Sequence, residues 1–326
     1  MISGPGELAV MDVDDVPTTP QVHATTGDRI FRGLSTAAAS VSLVIVGATL
    51  VFLILRSRPA FRSSGIIDFF TKSVWNPDTG HFGVLGLLEG TLVIAAIAMV
   101  IAVPLGVAMA LFINEYASPR LRGPLTSTVD LLAALPSLLF GIWGLLALQS
   151  HLTPVASFLG HHFSAVPFLR IRLGDGLVQS SFIAGCVVAI MILPIITSVT
   201  RDVMAQVPRE QCEGALALGG TRWGMIREVI LPFARGGIVG ASLLGFGRAL
   251  GETIAVALLI SPQIDFNSHI FKTGGASVAA YIAIHFGEAG PLERSGLVAA
   301  GLALFLLTLI VNLLARLIVV RKAAPR

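Results

Sequence analysis

Of 326 residues, 54% are hydrophobic and only 13% are charged, at a mean hydropathy of +0.84. A soluble domain carries about 25% charged residues, so this composition excludes an ordinary soluble enzyme and reads as a membrane protein. The formal charge of +3 is not a nucleic-acid footprint, because membrane proteins concentrate Lys and Arg in cytoplasmic loops.

Residues 1–28 hold Glu7, Asp12, Asp14, Asp15 and Asp28 but no Lys or Arg. Such a segment buries too little apolar surface to order itself and is predicted to be a disordered acidic tail. It lacks the basic start and early apolar core of a secretory signal. Six apolar stretches then reach the ~20 residues that a bilayer crossing needs. They are 37–55, 87–113, 125–148, 177–200, 236–260 and 297–320. Helices are predicted, because irregular backbone finds no partner in lipid. The ~10-residue alternating segments of a β-barrel do not occur.

An even number of spans puts both termini on one side. On that side fall 13 Lys and Arg, against 8 on the other, with Arg248 left inside a span. The positive-inside rule makes the side of the termini cytoplasmic. The outer loops are long. Residues 56–86 carry Trp75 and an Asn76-Pro77-Asp78 turn signal. Residues 261–296 contain the short apolar run 276–286, suited to a re-entrant or interfacial helix.

Cys186 and Cys212 lie in an apolar stretch and a polar loop, so a disulfide between them is not expected, and no metal-ligand spacing occurs. His161 and His162 read as a solvated loop pair. Pro104, Pro136 and Pro194 are candidate kinks. Asp130 reads as a membrane-edge charge close to Arg120 and Arg122.

The polar loop 201–235 is predicted to be a helix–turn–helix. Pro208 suits a helix start, and Glu210 and Glu213 place negative charge in the first turns. Ala215-Leu216-Ala217-Leu218 is strongly helical, and Gly219-Gly220 stops it. Thr221 can cap a second helix with Trp223, Ile226, Val229 and Ile230 on one apolar side, and Leu231-Pro232 leads into the fifth span. The spacing of Glu213-Gly214-Ala215, Gly219 and Leu231-Pro232 resembles the "EAA" loop of ATP-binding-cassette importer permeases, the cytoplasmic elbow that docks on an ATPase subunit. Gly214 departs from that pattern, standing where the first alanine would be, and should loosen the helix by ~1 kcal/mol. No Gly-x-x-x-x-Gly-Lys-Ser/Thr phosphate cradle occurs, so ATP hydrolysis is assigned to a separate chain.

In the fifth span, Arg248 sits near the midpoint, and Glu252 follows four residues on, where a helix would put both on one face. A charge at that depth costs ~2.5–3.5 kcal/mol on insertion scales and marks a substrate path by default. Two readings fit: a self-neutralising pair that locks the bundle, or an anion relay whose guanidinium fork matches phosphate or carboxylate oxygens.

Arg248-Ala249-Leu250-Gly251-Glu252-Thr253 closely resembles the PstC-type permease family of bacterial phosphate importers. Leu131 to Ser137 with Phe140-Gly141 and Trp143-Gly144-Leu145, Glu89-Gly90-Thr91-Leu92, Pro104-Leu105-Gly106, and Asn312 with Ala315-Arg316 agree with it. The resemblance covers nearly the whole chain after Asp28. It implies an all-α, six-helix type I importer permease (MetI-like) fold in the bacterial inner membrane, with a core over 86–320, a first helix and outer loop over 29–85, and a short tail at 321–326. It also implies a PstA-type permease homologue, two ATP-binding subunits and an extracytoplasmic phosphate-binding receptor as partners, no cofactor, and a place for Arg248 and Glu252 in the phosphate pathway. Glu213, Gly214, Ala215, Gly219, Leu231 and Pro232 form the expected ATPase-coupling loop. The residues alone leave open a permease for another oxyanion, such as sulfate or molybdate, and an ion-coupled secondary transporter.

Overall fold

The computed structural model describes residues 26–171, 176–264 and 269–323. Most of the predicted acidic tail and the last three residues lie outside these. Among the described residues, six helices are long and apolar enough to cross a membrane: Thr26–Ser64, Leu85–Tyr116, Ser137–His162, Ser181–Met204, Arg222–Leu250 and Pro291–Ala315.

In chain order, α1 (Thr26–Ser64) is followed by the short α2 (Ile66–Thr71) and a hairpin of β1 (Trp75–Asn76) and β2 (His81–Phe82). The hairpin is antiparallel, with Trp75 opposite Phe82. Its turn is the predicted one: the Asn76 side-chain oxygen accepts from the N–H groups of Asp78 and Thr79. α3 (Leu85–Leu111) runs on into a π-helical turn, Phe112–Tyr116. α4 (Pro119–Ala134) and α5 (Ser137–Trp143) come next. A second π turn, Gly144–Leu148, joins α5 to α6 (Gln149–His162). After α7 (Ser181–Met204) come α8 (Arg209–Ala217), α9 (Arg222–Met225), a third π turn (Ile226–Ile230) and α10 (Leu231–Leu250). α11 (Ile254–Leu259), α12 (Val278–His285) and α13 (Pro291–Ala323) complete the order. α12 is the expected short apolar helix.

Two compact units are distinguished, up to Val51 and from Phe52 onward. The first contributes the N-terminal part of α1, whose apolar side chains such as Phe31 and Leu43 are exposed. In the second, α7 is the central helix and the most deeply buried of the six spans. Ile183, Val187, Ile192 and Ile196 of α7 pack against Ile94, Ala98 and Ala102 of α3 and Ala241 and Ala249 of α10.

A second cluster joins the two long loops, one before α3 and one before α13. Phe69, Phe82 and Val84 pack with Ala276, Val278, Tyr281 and Leu297, and the Trp75 ring meets Tyr281 edge-on at 5.3 Å. Sequence signals of α3 account for the junction. A Cβ at Gly90 would collide with the Ala276 carbonyl, so only glycine permits that approach. The adjacent Thr91 hydroxyl accepts from the buried Val278 N–H at 3.0 Å and donates to the Leu87 carbonyl.

Two predicted spans are corrected. The third crosses at Ser137–His162, not 125–148. Pro136 has no N–H and drives Leu135 to an extended ψ of 136°, ending α4 at Ala134. His161 and His162 therefore close a helix rather than lie in a loop, and the His162 ring packs on Phe158 at 4.0 Å. The fifth span, expected over 236–260, is broken after Leu250.

Candidate functional site: an elbow and a groove joined by one helix

The elbow forms as its local signals dictate. Pro208 stands at the N-cap of α8 and Glu210 in its first turn. Gly219 takes the left-handed conformation at φ 84°, and the N–H groups of Gly219 and Gly220 close on the carbonyls of Leu216 and Ala215 at 3.0 and 3.2 Å. The Thr221 hydroxyl accepts from Gly224 N–H at 3.1 Å, capping α9. α9, the π turn and α10 then run on as one span, with Leu231 and Pro232 in the first turn of α10.

The underside of the elbow is a small core of its own. Met225, Ile226, Ile230 and Ala234 pack with Met204 of α7 and Ala110 of α3, joined by Ala215 and Cys212 of α8. Burial, then the charges of Glu115 and Glu213, push the Cys212 thiol above its ordinary range, so it is protonated at neutral pH. Trp223 does not join this side. It is 59% exposed, and Met225 takes the expected inward position. Leu218, 92% exposed, and Leu216 extend the outward apolar face beside Glu213 and Gly214. A Cβ at Gly214 would meet open space.

Directly above the elbow, Arg201 ties three helix ends together, a role the sequence reading missed. Its side chain is 13% exposed and lies 2.8 Å from Asp202 and 3.8 Å from Asp130 of α4. Its backbone carbonyl accepts from the Asn114 side chain at 2.8 Å. Asp130 is thus paired with Arg201, whereas Arg122 donates to the backbone carbonyls of Ile113 and Asn114.

From the elbow, α10 climbs to Arg248. The face it presents on the way is lined by Gly236, Gly240 and Gly247, where an added Cβ would meet nothing within 4 Å. With Ile195 of α7 and Leu309, Asn312 and Leu313 of α13, this face encloses a groove of about 1000 Å³. Gly236 to Arg248 covers twelve helical steps, ~18 Å at 1.5 Å per residue.

Arg248 lies in the last turn of α10, where the negative end of the helix dipole favours a cation. The helix stops because Gly251 settles at φ −91°, ψ 0°, and the Thr253 hydroxyl donates back to the Gly251 carbonyl at 3.0 Å. Glu252 falls in this break and is buried. The helical spacing expected to face it toward Arg248 is lost. Among the described residues, neither side chain makes an ion pair or a hydrogen bond. The locking-pair reading is therefore corrected: the guanidinium lining the groove is not neutralised by its neighbour. Cys212 and Cys186 are both free thiols.

Known proteins share this architecture. The family described as "Binding-protein-dependent transport system inner membrane component" matches residues 102–323. The "Phosphate transport system permease protein PstC 2" of Mycobacterium tuberculosis is 38% identical over 302 residues, covering 90% of this chain and 92% of its own. The "Phosphate transport system permease protein PstC" of Mesorhizobium japonicum is 40% identical over 301 residues, 90% of each chain. A solved bacterial alginate ABC transporter, in complex with an alginate pentasaccharide-bound periplasmic protein, has a chain that superposes with a TM-score of 0.60. It does so at 16% identity, over 93% of this chain and 99% of that one, a likeness of fold. The chain belongs to the family of binding-protein-dependent transport system inner membrane components and, within it, to the PstC-type permeases, as a multi-pass transport component rather than an enzyme.

Proposed function

We propose that this chain is the permease subunit through which an ATP-driven importer moves inorganic phosphate into the cytoplasm. The observation that carries the reading is Arg248, the one charged side chain lining the groove among the described residues, left without a carboxylate partner. A dehydrated oxyanion in an apolar groove is costly. The guanidinium fork offsets that cost by binding two oxygens at once. Glu252, buried in the break after α10, is not among the residues that line the groove. The relatives named as phosphate transport permeases support phosphate as the cargo.

The open side of the groove is closed by a PstA-type permease homologue. Both termini are cytoplasmic, and the elbow of Glu213, Gly214, Ala215, Gly219, Leu231 and Pro232 seats on one of two ATP-binding subunits. The exposed Leu216, Leu218 and Trp223 supply the apolar contact there. An extracytoplasmic phosphate-binding receptor docks on the outer face where loops 56–86 and 261–296 pack together. ATP-driven closure of the ATPases moves the elbow, and α10 carries that motion to Arg248. The test is uptake of labelled phosphate in competition with sulfate and molybdate. Phosphate alone should compete fully, and stronger competition by sulfate or molybdate would reassign the cargo.

A further inference from the structure

We infer that Asn312 of α13 is the second polar contact for the oxyanion in this groove, an assignment that rests on the phosphate-pathway reading above. Arg248 and Asn312 are the two polar side chains among the eleven residues that line the cavity, and the rest are Gly, Val, Leu and Ile. They come from different walls, α10 and α13, so a substrate moving between the helices meets both. Asn312 is exposed and makes no hydrogen bond among the described residues. An unpartnered amide on an apolar stretch of a membrane helix is costly unless something uses it.

The chemistry fits the need. A tetrahedral oxyanion has four oxygens, and one guanidinium fork satisfies two of them. In an apolar groove the others would lose water without replacement. The Asn312 amide offers two N–H donors. It adds no charge, so it supports a passing anion without trapping it. The competing role is packing: Asn312 could hydrogen-bond a helix of the second permease.

The experiment uses the complete importer, with the second permease, ATPases and receptor, reconstituted in proteoliposomes with labelled phosphate. Asn312→Leu should lower uptake about tenfold, the scale of one hydrogen bond to a charged group. Asn312→Asp, of the same size but negatively charged, should lower it further by repelling the anion. Both should leave recovery of the complex and receptor-stimulated ATP hydrolysis unchanged. Uptake within about twofold of wild type for Asn312→Leu, or wild-type uptake by Asn312→Asp, would overturn the assignment. So would loss of the assembled complex in both, which marks a packing role. Arg248→Ala runs beside them. Its loss of uptake together with normal transport by Asn312→Leu sinks only the Asn312 assignment, whereas normal uptake by Arg248→Ala sinks the pathway itself.

Discussion

The elbow leads into the start of α10 and the groove runs along that helix to Arg248 in its last turn, and the two are built in opposite ways. In the elbow both helix ends are closed by the chain's own groups, Gly219, Gly220 and Thr221, and the underside has its own apolar core. The groove is left open: its wall is lined by glycines, Leu244, Leu309 and Leu313 are more than half exposed, and among the described residues its guanidinium makes no ion pair. On the proposed function, the chain completes the part that transmits force and supplies only a share of the path, which the second permease finishes.

That contrast predicts different failures at the two ends. The largest effect belongs to the groove: Arg248→Ala should cut phosphate uptake by at least ~100-fold, since a paired guanidinium–oxyanion contact is among the strong hydrogen bonds. Complex recovery should be unchanged. Arg248→Lys, a point charge without the fork, should recover part of the loss. Next is the elbow core. Ile226 is fully buried, so Ile226→Ala should destabilise that core by ~2–5 kcal/mol. It should uncouple ATP hydrolysis from uptake, read as phosphate moved per ATP split. A smaller effect follows from Thr221→Ala, which removes one cap worth ~1 kcal/mol. Faster hydrogen exchange at the Gly224 amide would report it. The smallest is Gly214→Ala. With open space around it in this chain, the alanine should firm α8 by up to ~1 kcal/mol and leave uptake unchanged. A marked fall in uptake would mean that the docked ATPase needs the bare glycine backbone.

The same contrast explains what could be read from the sequence. The elbow was legible almost residue by residue, because its caps join groups within a few positions: Thr221 to Gly224, Gly220 to Ala215. Trp223 was the exception, since which side of a short helix turns inward depends on Met204 and Ala110 from distant helices. The six spans were legible from apolar length. Their interruptions were legible only in part: Pro136 stood out as a candidate kink, but apolar content hardly changes across Leu135-Pro136 or across Leu250-Gly251, where the backbone breaks at a single residue. The break at Gly251 puts Arg248 at a helix end and removes the helical spacing that would face it toward Glu252. Arg201 pairs with Asp130 across 71 positions of sequence, and Arg248 and Asn312, 64 positions apart, line one groove. Nothing local marks such pairs.

The most direct measurement of the central claim is phosphate uptake into proteoliposomes holding the complete importer, with receptor outside and ATP inside. Uptake should need ATP, the ATPase subunits and the receptor together, and should disappear in Arg248→Ala. Uptake that persists without the ATPase subunits, or that Arg248→Ala leaves intact, would contradict that claim.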